Sequence, residues 1–120
     1  MTAPAAVVYK ICAAAHWRAA VNDGVFRGVA VDLRDGYIHF STAAQLAETA
    51  AKHFAGQDDL MLIALDVTTL GDALRWEPSR GGDLFPHLYG EFRTDAVHWV
   101  APLPRGTDGK HVFPESIAST

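Results

Sequence analysis

The chain predicts a small α+β fold, a split sheet of mixed or antiparallel strands carrying one main helix. Three observations lead there. Residues 60–67, Leu-Met-Leu-Ile-Ala-Leu-Asp-Val, are almost continuously apolar and fit a central strand buried on both faces. Residues 42–55 open with Thr42 and Gln45 at capping-box spacing. They then repeat Leu46, Ala47, Ala50, Ala51 and Phe54 at three- and four-residue intervals, which gives a helix one apolar face. Several shorter runs rich in β-branched and aromatic residues, bounded by Gly, Pro or Asp, supply the remaining strands.

At 120 residues the chain has the length of one domain, expected to span 1–120 with a core over about 7–103 and a peripheral leader and tail. It is 49% hydrophobic, enough to build a core. The net charge is -4, and the Lys and Arg residues are spread singly. No basic stripe tracks a nucleic-acid backbone, which argues against a DNA or RNA coat but leaves room for one phosphate-bearing ligand. Cys12 is the only cysteine, so an internal disulfide and a cysteine-only metal site are excluded. The start lacks a basic n-region, and no apolar run reaches the roughly eighteen residues of a membrane span. A cytoplasmic location, with no membrane partner, is expected; partner proteins stay undefined.

In order, residues 7–13 read as the first strand. Lys10 within it either snorkels at an edge or faces a polar cavity. Cys12 reads as a small buried hydrophobe. Residues 14–21 are alanine-rich and fit one or two helical turns ending near Asn22-Asp23-Gly24, with His16 near the strand end. Residues 24–35 read as an irregular crossing segment with an edge strand at 26–31. Asp35-Gly36 turns into a key strand over 36–42, where His39 sits between Ile38 and Phe40.

The helix that follows is expected to stop at Gly56. Its first turn, at Ser41 and Thr42, offers N–H groups to an anion. After the central strand comes a short turn over 68–73, then a strand at 74–77 closed by Pro78. Glu77 there could pair with Arg75 or Arg80 at the surface. Residues 79–83 form a flexible loop without the lysine of a phosphate-binding loop. In residues 84–92, His87, Tyr89 and Glu91 alternate and are expected on one strand face. Residues 96–103 read as the last strand, and 104–109 as a surface turn.

Three polar groups are candidates for chemistry: His39 with Ser41, His87 with Tyr89 and Glu91, and Lys10 with His16. Histidine can orient a ribose or act as a general base. Tyrosine can donate a hydrogen bond or stack on a flat ring, and glutamate can stabilise positive charge at an anomeric carbon. A metal centre would need His16, His39 and His87 to converge, and no pair has the short spacing of a zinc motif, so no metal is expected. Without a G-x-S-x-G elbow, Ser41 is not read as a nucleophile.

Four blocks in order, Tyr9-Lys10-Ile11-Cys12, Gly36-Tyr37-Ile38-His39-Phe40-Ser41-Thr42 with Gln45-Leu46, Trp76-Glu77, and Phe85-Pro86-His87-Leu88-Tyr89-Gly90, resemble a small bacterial family known as domain of unknown function 952. The resemblance runs from Val8 to about Leu103. It implies an ADP-ribosyltransferase-like fold, shared with RNA 2′-phosphotransferases, whose cleft takes NAD or an ADP-ribose-like ligand. His39 falls where the transferases place the ring that lines the nicotinamide pocket, and Glu91 falls at their glutamate. Lys10 stands where they carry a His or Arg.

The resemblance therefore implies His39, Glu91 and His87 as catalytic residues. With the polar groups read above, the candidate binding residues are Lys10, His16, Ser41, Thr42, Glu77 and Tyr89, with Lys10 and the Thr42 helix start on phosphate. Two uses remain open: a divergent transferase, or a binding or regulatory domain with a degenerate pocket and no reaction. A third account has the histidines satisfied in the core, with no ligand.

Overall fold

A computed structural model of the protein describes residues 6–117; the expected leader at 1–5 and the end of the tail lie outside them. The fold is α+β, with several antiparallel sheets and few helices. Strands β1 (Val7–Ala13), β4 (Leu60–Asp66) and β8 (Trp99–Leu103) form one sheet in the order β1-β4-β8. β2 (Val25–Phe26) pairs with β7 (Phe92–Arg93). β3 (Ile38–His39), β6 (Leu84–Leu88) and β5 (Leu74–Pro78) form the third sheet, with β6 in the middle. Every pairing among these strands is antiparallel, one of the two arrangements the sequence left open.

β4 takes the central place its apolar run requires. Leu60, Leu62 and Ala64 face one core cluster, and Ile63 and Leu65 the other. β1 divides in the same way: Val7, Tyr9 and Ile11 join the first, while Val8 and Cys12 join the second. Lys10 shares the face of Val8 and Cys12, so alternation drives its side chain into the protein rather than to an edge. The outer edge of β1 is covered as well. Tyr9 and Ser41 exchange two backbone hydrogen bonds, of 2.8 and 2.9 Å, which tie the segment after β3 to the middle of β1.

The helices depart from the expected single main one. α1 (Ala14–Asp23) is the longest among the described residues. Its alanine-rich sequence continues to Gly24, whose left-handed backbone closes it with bonds to Ala20 and Val21. The segment read as irregular contains α2 (Ala30–Asp35), which ends at left-handed Gly36. The expected edge strand is limited to β2, because the chain is already helical at Ala30. The capping box at Thr42 and Gln45 is present, but it opens a 3-10 turn over Ala43–Gln45 that leads into α3 (Leu46–His53). α3 lays Leu46 and Ala50 against the face of β1 and β4 that carries Tyr9 and Leu62. α4 (Val67–Leu70) and a 3-10 turn over Gly71–Ala73 connect β4 to β5.

β3 is shorter than the sequence suggests, and proline explains its end. Phe40 donates to the Pro86 carbonyl at 3.0 Å, but Pro86 has no N–H to return the bond. Pairing with β6 therefore ceases after His39, and the chain swings over to Tyr9 of β1. β6 itself ends at Leu88, followed by a bend at Tyr89 and Gly90. The expected strand alternation through Glu91 stops at that bend. β8 begins at Trp99 rather than at Ala96, since Thr94–Ala96 forms a 3-10 turn.

Candidate functional site

The pairing of β3 with β6 sets His39 directly opposite His87, with ring centroids 5.5 Å apart. The Tyr9–Ser41 bridge brings β1 alongside. These three strands border a cavity of about 690 Å³. Lys10, Ser41, His39 and His87 line it, together with Arg34, Asp35, Lys52 and the apolar Val31, Phe40 and Phe85.

Asp32, on the inner side of α2, organises one wall. It is 2% exposed. Its carboxylate accepts from Lys10 Nζ at 3.0 Å, from the Val29 backbone N–H at 2.9 Å, from the His39 N–H at 3.1 Å and from His39 Nδ1 at 2.7 Å. Burial alone would push the Asp32 carboxyl up, but the His39 hydrogen bond and the Lys10 ammonium outweigh it and hold the group down at about 2. Burial lowers the Lys10 ammonium from its ordinary value, and Asp32 restores part of that loss. Asp32 also explains Gly28. At φ +120°, a Cβ on residue 28 would sit 2.8 Å from Asp32 Cβ, so only glycine allows this approach.

His39 meets a second carboxylate, since its Nε2 lies 3.0 Å from Asp35 Oδ2. Both ring nitrogens of His39 thus lie within 3.0 Å of a carboxylate oxygen. His87, 4% exposed, is held differently. Its Nδ1 donates to Glu77 Oε1 at 2.8 Å, and the Tyr89 hydroxyl donates to the same oxygen at 2.8 Å. Those two bonds hold the Glu77 carboxyl below the usual glutamate range. With the proton on Nδ1, a neutral His87 has its lone pair on Nε2. Tyr37 stacks on His87 at 4.2 Å and touches His39 at 4.6 Å, which locks the two rings in place.

The remaining expected residues separate. Ser41 lines the cavity and its hydroxyl pairs with Thr49 at 2.9 Å. Thr42 is not among the lining residues, and its N–H is taken by Gln45 in the capping box; the helix start therefore does not present that donor to the cavity. His16 is exposed, donates to the Gly28 carbonyl at 3.1 Å and packs edge-on to Phe26, away from the cavity wall. Glu77 and Tyr89 stand behind His87 rather than in the lining, and Arg75 lies over the Tyr89 ring at 5.1 Å. Glu91 does not join the histidines. Its side chain is 56% exposed and pairs with Arg27 at 3.4 Å, because the bend at Tyr89 and Gly90 turns it out of the strand. Cys12 is buried, with burial pushing its thiol up to about 11, so it behaves as an inert hydrophobe.

The model of the family described as "protein of unknown function (DUF952)" matches residues 11–100. The chain belongs to this family. It is also similar to protein CC0527 of Caulobacter crescentus in three solved structures. An X-ray structure of that protein is 46% identical, covers 93% of this chain and 98% of its own, and superposes with a TM-score of 0.88. A double-mutant form, also by X-ray, gives 44% and 0.88 over the same shares. The solution NMR structure gives 48% and 0.79 over 87% of this chain and 90% of its own. Among curated proteins none matches.

Membership of DUF952 supplies a fold and no chemistry, so the site rests on geometry. Asp32 and Asp35 were not singled out from the sequence, although both touch His39. The available signal was Gly28 four residues before Asp32, and two aspartates one helical turn apart just before left-handed Gly36. Among the described residues no group of three His, Cys, Asp or Glu could hold a metal ion. No described helix is long and apolar enough to cross a membrane.

Proposed function

We propose that the cavity is the binding cleft of a phosphorylated nucleoside, with an ADP-ribose-like molecule as the best fit. The observation that supports this most is the His39–His87 pair opening on one cavity with cationic Lys10, Arg34 and Lys52 in its lining. Its volume lies within the range of small-molecule sites. Cations suit phosphates, and the apolar lining of Val31, Phe40 and Phe85 suits a base or ribose face. In this reading His39 and His87 orient the ligand and Glu77 fixes His87. Likeness to the ADP-ribosyltransferase fold, with NAD as an alternative ligand, belongs to the same proposal. So does a single functional unit working in the reducing cytoplasm, which a buried, unactivated Cys12 fits.

Two observations favour binding without group transfer over a divergent transferase. Glu91, the carboxylate a transferase would require, points to solvent beside Arg27. Both nitrogens of His39 already face carboxylates. Calorimetry with ADP-ribose, NAD and a 2′-phosphorylated RNA fragment, run beside an assay for nicotinamide release, tests the reading. Saturable ADP-ribose binding with NAD left intact is expected. Turnover of NAD would favour the transferase, and no binding of any of the three at millimolar concentration would remove the nucleotide reading.

A further inference from the structure

Charges alternate along one wall of the cavity. Lys10 pairs with Asp32, Asp32 holds His39 Nδ1, His39 Nε2 lies 3.0 Å from Asp35, and Asp35 takes Arg34 Nε at 2.9 Å. Lys10, Arg34, Asp35 and His39 all line the cavity, and Asp35 is the only carboxylate among the described lining residues. The two aspartates on His39 are not equivalent. Asp32 is buried and fixed by four donors from β1, β3 and Val29, the residue before α2. The Asp35 side chain is 28% exposed and held through the side chains of His39 and Arg34.

Asp35 is also the last residue of α2, just before left-handed Gly36. A helix C-terminus carries partial negative charge, so an acid there is disfavoured by the helix itself. What keeps this carboxylate in place is the pair of donors on either side of it. A partly exposed side-chain anion between a fixed imidazole and a guanidinium occupies the position that a ligand's oxyanion would take.

We infer that the place of the Asp35 carboxylate, between His39 Nε2 and Arg34, is an anion subsite that a ligand phosphate occupies by displacing Asp35. The ligand class is a phosphomonoester or diphosphate. The displaced carboxylate swings into solvent from its exposed position, while Asp32 stays on Nδ1 and keeps the ring aimed. The subsite deepens the nucleotide reading, which supplies the rest of the ligand, but its chemistry needs only the phosphate.

The test titrates inorganic phosphate, and separately ADP-ribose, into the wild type, Asp35→Asn, Asp35→Ala and the control Asp95→Asn. The control removes the same charge from an exposed pair with Arg93. Both Asp35 variants are expected to bind phosphate about tenfold more tightly than wild type, since the competing like charge is gone. Asp95→Asn is expected to stay within about twofold of wild type. In wild type, phosphate should move the His39 imidazole nitrogen resonances. Unchanged or weaker phosphate binding in both Asp35 variants, or a gain matched by Asp95→Asn, overturns the subsite. If phosphate tightens while ADP-ribose binds no variant, the subsite stands and the nucleotide reading falls. If ADP-ribose binds wild type and both Asp35 variants equally, the subsite falls and the reading stands.

Discussion

His39 and His87 face each other across the β3–β6 ladder, and each is anchored through Nδ1 to a different carboxylate, Asp32 at 2.7 Å and Glu77 at 2.8 Å. The anchors differ in kind. Asp32 is sealed in the protein and shared with a buried lysine, whereas Glu77 is partly exposed and shared with Tyr89. The first pair is part of the buried interior. The second can be altered with little cost to the core.

Replacing Asp32 by Asn leaves Lys10 buried without a counter-charge and weakens the hold on His39. A loss of about 3 kcal/mol is expected, the scale for breaking a buried ion pair from one side. Urea denaturation measures it. Lys10→Met in the same chain should recover part of the loss, because the orphaned charge is gone. A single-variant loss under about 1 kcal/mol would contradict the buried pair.

The same pair sets an acid limit. The folded-state Asp32 carboxyl lies at about 2, below its ordinary value of 3.8, so the unfolded chain binds its proton first as pH falls. Its stabilisation is complete above about pH 4 and is lost as pH drops toward 2, about 2 kcal/mol in all. Lys10 is also lowered in the folded state, so its contribution makes stability rise as pH approaches 10.5. Denaturation midpoints across pH, compared with Asp32→Asn, check both directions. In the variant the acid slope from this group should vanish.

Two glycines near the site should respond unequally. A Cβ at Gly36 meets nothing within 4 Å, so Gly36→Ala bears only the cost of its left-handed backbone, about 1 kcal/mol. Gly28→Ala adds a collision with Asp32 and should cost about 2 kcal/mol or more. It should also disturb the His39 resonances, because Asp32 is what it displaces. Equal losses for the two would argue that Gly28 serves the turn alone.

Much of this arrangement was legible in the chain, and the exceptions share a cause. The apolar run at Leu60–Asp66 allowed little besides a central strand, and Thr42 with Gln45 marked a helix start by local chemistry. His39 and His87 stood out as polar side chains amid apolar neighbours. Asp32 did not, because its partners Lys10 and His39 come from other elements, 22 and 7 residues away. The six residues of α2 are too few for a helical period to show. Glu91 was misplaced by extending strand alternation past Leu88, where the chain bends.

Glu77 and Glu91 can be separated directly. Glu77→Gln weakens the charge-assisted bond to His87 and should reduce ADP-ribose affinity about tenfold. It should also bring the Tyr89 hydroxyl closer to an ordinary tyrosine titration, since its bond to Glu77 is the main cause of its raised value. Glu91→Gln should leave the affinity unchanged. The reverse ranking would place the functional carboxylate outside the cavity described above.

The most direct measurement is a histidine-detected NMR titration of the wild-type protein with ADP-ribose, repeated on His39→Ala. Saturable shifts at His39 and His87, with His16 unmoved and binding lost or weakened at least about tenfold in His39→Ala, are the expected result. No saturable shift at either ring at several millimolar ligand, or equal binding by His39→Ala, would contradict the account.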